Sequence, residues 1–256
     1  MVIVAARPSV GKTAFALNLA ANHAKNGGSS ILFSLEMGTK QLLQRMVSSV
    51  GRINGQKWRT MAFNEDDYDR ALHAIGEISR WKLKLYDKLR TISEMRGAIR
   101  KQIIDHPNER HVVLIDYLQL ITPADVQARR DLEIGVMTRE LKLLAVELDV
   151  PIVLLSQLSR GVESRQNKRP LMSDLRESGN IEQDADVISF LYRDDYYSRE
   201  TVGQSRMEVI LAKQRNGPTG TIELAFDKPY GRFCNLTGEG TENNEEPRVF
   251  AVEGTV

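Results

Sequence analysis

The sequence predicts an α/β fold in which a mostly parallel central sheet is flanked by helices and ends in an antiparallel hairpin. Three observations carry this. Over the first 155 residues, short apolar runs alternate with longer amphipathic stretches, the rhythm of parallel strands joined by helical crossovers. The triplet Gly11-Lys12-Thr13 stands between the first apolar run and the first helical stretch. Beyond Gln157 the alternation stops and strand-like runs follow one another, the last two separated by the turn signal Asn216-Gly217-Pro218-Thr219-Gly220.

In chain order, Val2–Ala6 reads as a buried strand. Thr13–Lys25 reads as a helix with Phe15, Leu17, Leu19 and Ala20 near one side. Ile31–Ser34 is a second strand, followed by helices over Thr39–Ser49 and Asn64–Ser79. Leu83–Tyr86 is a strand, and Thr91–Ile104 a helix capped by Ser93 or Thr91. Val112–Ile115 is apolar throughout and ends in Asp116, the pattern of a strand covered on both faces. Arg130–Leu148 is a long helix and Ile152–Leu155 another buried strand. The polar, weakly periodic stretch Gln157–Ser173 reads as a loop, and Val187–Arg193, Met207–Lys213 and Thr221–Asp227 as strands. From Thr237 the chain is rich in Gly, Asn and Glu, so residues 237–256 are expected to form a flexible tail. No internal repeat or linker is visible, which makes residues 1–236 one domain.

The chain has 256 residues, enough to bury a large core without covalent staples. Hydrophobic residues are 41% and charged residues 27%, an ordinary globular composition. With a single cysteine, Cys234, the chain has no intramolecular disulfide, which suits a reducing compartment. No apolar run approaches the roughly 20 residues of a membrane span. The protein is therefore expected to be soluble and cytoplasmic, with no membrane partner. A formal net charge of +1 neither supports nor excludes a nucleic-acid partner, because local patches outweigh the sum.

The segment Ala6-Arg7-Pro8-Ser9-Val10-Gly11-Lys12-Thr13 has the strand-loop-helix context of a phosphate loop, with Ala6 where the first glycine usually stands. Backbone N–H groups of Ser9, Val10, Gly11, Lys12, Thr13 and Ala14 are placed to surround phosphates. Lys12 is then the residue that reaches the β and γ phosphates, and Thr13 the hydroxyl ligand of Mg2+. Asp116, at a buried strand tip beside such a loop, reads as a second metal ligand acting through water or as a helix-capping or loop carboxylate. Glu36 follows the second strand and faces the same crevice, as a general base for in-line attack or as an ordinary acidic residue at a helix start. Gln157, past the strand at 152, contacts the γ-phosphate or makes a loop hydrogen bond.

Six segments occur in order: the phosphate loop from Ala5 to Thr13, Phe33-Ser34-Leu35-Glu36-Met37, Ile115-Asp116-Tyr117-Leu118-Gln119-Leu120, Leu155-Ser156-Gln157-Leu158-Ser159-Arg160, Asp174-Leu175-Arg176-Glu177-Ser178-Gly179, and Ala212-Lys213-Gln214-Arg215-Asn216-Gly217. Together they resemble the carboxyl-terminal motor domain of DnaB-type replicative DNA helicases over about residues 1 to 236. The resemblance implies a RecA-like P-loop NTPase fold and ATP-driven movement along single-stranded DNA. It also implies a hexameric ring in the full-length protein, with a primase and a helicase loader as partners. It makes Glu36 the catalytic glutamate, Asp116 the metal carboxylate and Gln157 the γ-phosphate sensor. Lys213 and Arg215 become basic residues reaching the neighbouring subunit's nucleotide, Arg215 as arginine finger. Arg176, Glu177 and Gly179 become the loop on the DNA backbone, and Arg45 lies near the base. Ala6 also fits this family.

Part of this agrees with the residues alone. Lys213 and Arg215 alternate with Gln214 at a strand end, so both project to one side, where they are expected to extend outward. The stretch from Gln157 to Asn180 carries five positive and three negative residues and no aromatic ones, which predicts salt-sensitive binding without base stacking. The chain starts at the strand before the phosphate loop and is expected to be an isolated motor portion, binding nucleotide well and hydrolysing it slowly. A recombinase or clock-type ATPase on the same fold, and a nucleotide-dependent scaffold for a primase or loader, are the rival readings.

Overall fold

The computed structural model of the chain describes residues 1–123, 129–175, 179–197 and 205–236. The expected tail at 237–256 lies outside the described residues. Among the described residues, nine strands form one sheet: β1 (Val2–Ala6), β2 (Ser29–Ser34), β3 (Lys82–Tyr86), β4 (His111–Asp116), β5 (Ile152–Gln157), β6 (Val187–Tyr192), β7 (Ser205–Gln214), β8 (Gly220–Asp227) and β9 (Arg232–Asn235). Their order is β3-β2-β4-β5-β1-β6-β7-β8-β9. The strands from β3 to β6 are parallel, and β6 to β9 antiparallel.

Among the described residues, seven helices accompany the sheet: α1 (Lys12–Lys25), α2 (Thr39–Gly51), α3 (Lys57–Thr60), α4 (Glu65–Ile78), α5 (Ile92–Asp105), α6 (Arg130–Glu147) and α7 (Gly179–Asp184). Neighbouring residues of the parallel strands go to opposite faces, as the period of two requires. Ile3, Phe33, Val113, Ile115 and Leu154 pack in one core with α5 and α6. Val4, Leu32, Leu114 and Leu155 pack in the other with α1 and α2. Both faces are therefore apolar, which is why Ile31–Phe33 of β2 and Val112–Ile115 of β4 read as unbroken hydrophobic runs. The edge strand β3 exposes Lys82 and Lys84, charges that discourage edge-to-edge pairing.

The expected terminal antiparallel hairpin is β7 and β8, and Arg232–Asn235 adds a third strand, β9, to β8. Four residues give too short an alternation to read from sequence. Leu19 is 38% exposed, and the inner face of α1 is Ala16, Leu17, Ala20 and Ala24 instead. Small residues let this helix lie close to the sheet. Thr91, not Ser93, caps α5, in a reciprocal capping box with Glu94. The expected loop after Gln157 contains two 3-10 turns, Arg160–Ser164 and Met172–Asp174.

Parallel register sets the functional edge. Ala6 lies opposite Gln157, and Ser34 opposite Asp116. The carboxyl ends of β1, β2, β4 and β5 thus open onto one crevice, the usual ligand site of a parallel sheet.

Candidate nucleotide site

The crevice is a cleft of about 830 Å3 floored by the phosphate loop and the first turns of α1. Two loop residues have positive φ, Ser9 at 63° and Gly11 at 124°. A Cβ on Gly11 would meet Met207 and Phe226 at 3.5 and 3.6 Å, ordinary contact distances. Backbone conformation, not space, therefore demands glycine there. Ala6 still belongs to β1 and has no positive φ, so alanine serves where the motif usually has glycine.

Thr13 donates its hydroxyl to Asp116 Oδ2 at 2.6 Å. Asp116 is 1% exposed, and its Oδ1 accepts no hydrogen bond. Lys12 Nζ lies 3.4 Å from that oxygen and 4.0 Å from the centroid of the Tyr117 ring. The contact is an ion pair without hydrogen-bond geometry. Burial lowers the Lys12 pKa, opposed by the nearby charges of Asp116 and Glu36. Tyr117 is pushed up by burial and by the same two carboxylates.

The donor set fits Mg2+: a hydroxyl and one carboxylate, both hard oxygen ligands, with a buried carboxylate oxygen left unbonded. Among the described residues, no group of three or more His, Cys, Asp or Glu could hold a metal ion alone. A cation here would draw its remaining ligands from phosphate and water, the usual arrangement for Mg2+.

Glu36 is exposed on the cleft wall just past β2. Gln157, half-buried at the end of β5, lines the cleft beside Ala6. Its backbone N–H donates to Gln119 Oε1 at 3.3 Å, and Gln119 Nε2 donates to Ser156 Oγ at 3.0 Å. Gln119 thereby pins the strand tip. Arg45 of α2 reaches the cleft, together with Trp58 and Arg59 of α3 and Tyr230 from the β8–β9 turn. Ser9, Gly11 and Ala14 line the floor; Val10 is buried and does not line the cleft.

Lys213 and Arg215 stand apart from this cleft. Both project to the same side, toward residues 182–186, and Arg215 remains 53% exposed. Lys213 Nζ donates to the carbonyls of Glu182 and Ala185 at 2.5 and 2.9 Å, at the carboxyl end of α7, where a cation suits the helix dipole. Arg215 pairs with Asp186 at 3.3 Å. Arg176 and Glu177 lie outside the described residues, and Gly179 is the first residue of α7.

Sequence reasoning missed two arginines that hold the phosphate loop. Arg7 is buried and bonded to Glu163 and to the Leu158 carbonyl. Arg193 Nη1 donates to the Val10 carbonyl at 3.2 Å, while its Nε faces Asp195 at 3.2 Å. Nothing in the local sequence marks either role, because the bonds that brace the loop span more than 150 residues.

Residues 1–235 match the sequence profile of the DnaB-like helicase C terminal domain. The chain belongs to this family. This DnaB-like domain is 51% identical over 240 residues to the replicative DNA helicase DnaC of Bacillus subtilis (strain 168), covering 92% of this chain and 52% of the relative. It is 48% identical, with the same coverages, to the replicative DNA helicase DnaB of Geobacillus stearothermophilus. The chain thus spans about half the length of the curated relatives it matches. Among solved structures it resembles a DnaB-like replicative helicase described with its interactions with primase, at TM-score 0.89 and 48% identity over 93% of this chain and 59% of that one. A second solved structure, described as an ATPase domain, matches at TM-score 0.88 and 48% identity, over 92% of this chain and 84% of that one. The RecA-like fold and family membership expected from the six motifs are both borne out. Family membership implies nucleotide use. Among the described residues, no helix is long and apolar enough to cross a membrane.

Proposed function

We propose that this domain is the ATPase motor of a replicative DNA helicase, binding ATP with Mg2+ and using its hydrolysis to move along single-stranded DNA. The motor spans residues 1–236, with 237–256 as its tail. The carrying observation is the Thr13–Asp116 pair, 2.6 Å apart below the phosphate loop, with Asp116 Oδ1 buried and unbonded. Bound there, Mg2+ would neutralise charge on the phosphates.

The chain's own groups do the rest. The loop N–H groups and Lys12 hold the triphosphate, and the neighbouring carboxylates oppose the lowering of the Lys12 pKa by burial. Glu36, exposed at the cleft wall, takes a proton from the attacking water. Gln157 contacts the γ-phosphate from a strand tip pinned by Gln119. Arg45 borders the base. Lys213 and Arg215 act on a neighbouring subunit's nucleotide in a homo-hexamer; their absence from their own cleft supports this. Arg176, Glu177 and Gly179 follow the DNA backbone without reading bases. The structural relative described with primase supports a primase partner, alongside a loader, for the full-length protein in the cytoplasm.

ATP turnover by the chain, with and without single-stranded DNA, tests the reading and separates it from a scaffold. Glu36→Gln is expected to retain nucleotide binding and lose turnover by about 10²-fold or more. Wild-type turnover in that variant would remove Glu36 as the base; failure of the chain to bind ATP would remove the whole reading.

A further inference from the structure

We infer that Arg7 and Glu163 form a positioning pair that transmits nucleotide occupancy of the phosphate loop to residues 158–175, the segment leading into the DNA-contacting loop. This rests on the nucleotide and DNA reading above. Arg7 sits inside the phosphate loop, yet its guanidinium is fully committed elsewhere. Nε and Nη2 both donate to Glu163 Oε1, at 2.8 and 2.6 Å, and Nη1 donates to the Leu158 carbonyl at 2.8 Å. The Leu158 N–H returns to the Ala6 carbonyl at 3.1 Å. The loop and the exit of β5 therefore move as one piece.

Beyond Glu163 the linkage continues. Arg165 binds both oxygens of Asp174, at 3.0 and 2.6 Å. The Asp174 carbonyl accepts from the Ser159 N–H at 2.9 Å, and Leu158 bridges Leu175. Residues 158–175 thus form a closed, cross-braced loop. One end abuts Gln157, the other ends at Leu175 immediately before Arg176, and the Glu163 carboxylate midway along it holds Arg7 of the phosphate loop. Glu163 is 43% exposed, and an ion pair open to solvent at one partner contributes little net stability, so stability alone does not account for the pair. What the pair supplies is directional rigidity: two donors converging on one carboxylate oxygen resist sliding.

Hydrogen exchange on the 256-residue chain, with the non-hydrolysable triphosphate AMP-PNP and Mg2+, tests the inference. In the wild type, exchange should slow at least about threefold both in the phosphate-loop peptides and in the peptides covering 158–175. In Glu163→Ala, with nucleotide at saturation for that variant, only the phosphate-loop peptides should respond. Glu163→Gln keeps an oxygen acceptor and should restore part of the response at 158–175, a graded result that a general loss of folding does not give. An unchanged response at 158–175 in Glu163→Ala, or none in the wild type, overturns the link. No slowing at the phosphate loop itself would instead overturn the nucleotide reading, and the inference with it.

Discussion

At the scale of single residues, the site depends on a few groups whose neighbours change their chemistry. Burial lowers the Lys12 pKa, and the nearby charges of Asp116 and Glu36 oppose that shift. Lys12→Ala removes the cation facing the phosphates, and turnover should fall by about 10²-fold or more in a steady-state ATP hydrolysis assay. Hydrolysis at the wild-type rate would refute the assignment. Gly11→Ala probes backbone alone, since a methyl fits but φ of 124° does not suit it. The strain is about 1–2 kcal/mol. Its relief should distort the loop, so thermal denaturation should show a lower melting temperature and titration a weaker nucleotide affinity. Lys12 and Thr13 were legible as motif letters. Arg7 and Arg193 were not, because an arginine in a loop reads as solvent-exposed until the fold supplies its partners.

At the scale of elements, helix starts show how far local chemistry reaches. α4 begins at a capping box of Asn64 and Asp67, and α5 at one of Thr91 and Glu94. These short-range signals are readable in sequence. α2, which carries Arg45, starts after Gly38 with no side-chain cap of its own. Its Thr39 N–H donates instead to Asp87 Oδ2 at 2.8 Å, a carboxylate from the end of β3. Asp67 also makes a tertiary link, binding Lys57 of α3 and Arg70 of α4. The Lys57 hydrogen bond, joined by the Asn64 N–H, lowers its pKa. A carboxyl depressed in the folded state adds stability that is complete above its unfolded value, near about 3.9, and is lost as pH falls through the lower folded value. Asp67→Asn should therefore lower the melting temperature at pH 7 and reduce its decline between about pH 5 and 2, measured by pH-dependent thermal denaturation. An unchanged acid limb would exclude this contribution. The 157–180 stretch has no aromatic residues of its own, but the fold brings rings to it. Arg169 lies 5.5 Å from the Tyr192 ring and Lys168 5.5 Å from that of Tyr197.

At the scale of the whole molecule, the domain separates two sets of cations. Lys12 faces its own cleft, while Lys213 and Arg215 rest against α7 and Asp186. If the second set acts on a neighbour, turnover per chain depends on assembly. Specific activity at saturating ATP should rise with protein concentration, in step with mass measured in solution. Arg215→Ala should bind nucleotide normally and show a flat, low profile, since arginine fingers are worth about 10³–10⁵ in rate. Concentration-independent turnover equal in wild type and Arg215→Ala would exclude action across an interface.

The sequence by itself determined the α/β class, most strands and long helices, the phosphate loop and the family, because each rests on local periodicity or on spacing within a short segment. Only the tertiary structure decided that Asp116 meets Thr13, that Gln119 holds the tip of β5, and that Arg7 is tied to Glu163. It also decided that β9 closes the sheet and that Lys213 and Arg215 project toward residues 182–186. The reason is physical. Parallel register puts the ends of strands that are far apart in sequence side by side, and a side chain's partner across such a gap is set by the packed sheet, not by its neighbours along the chain.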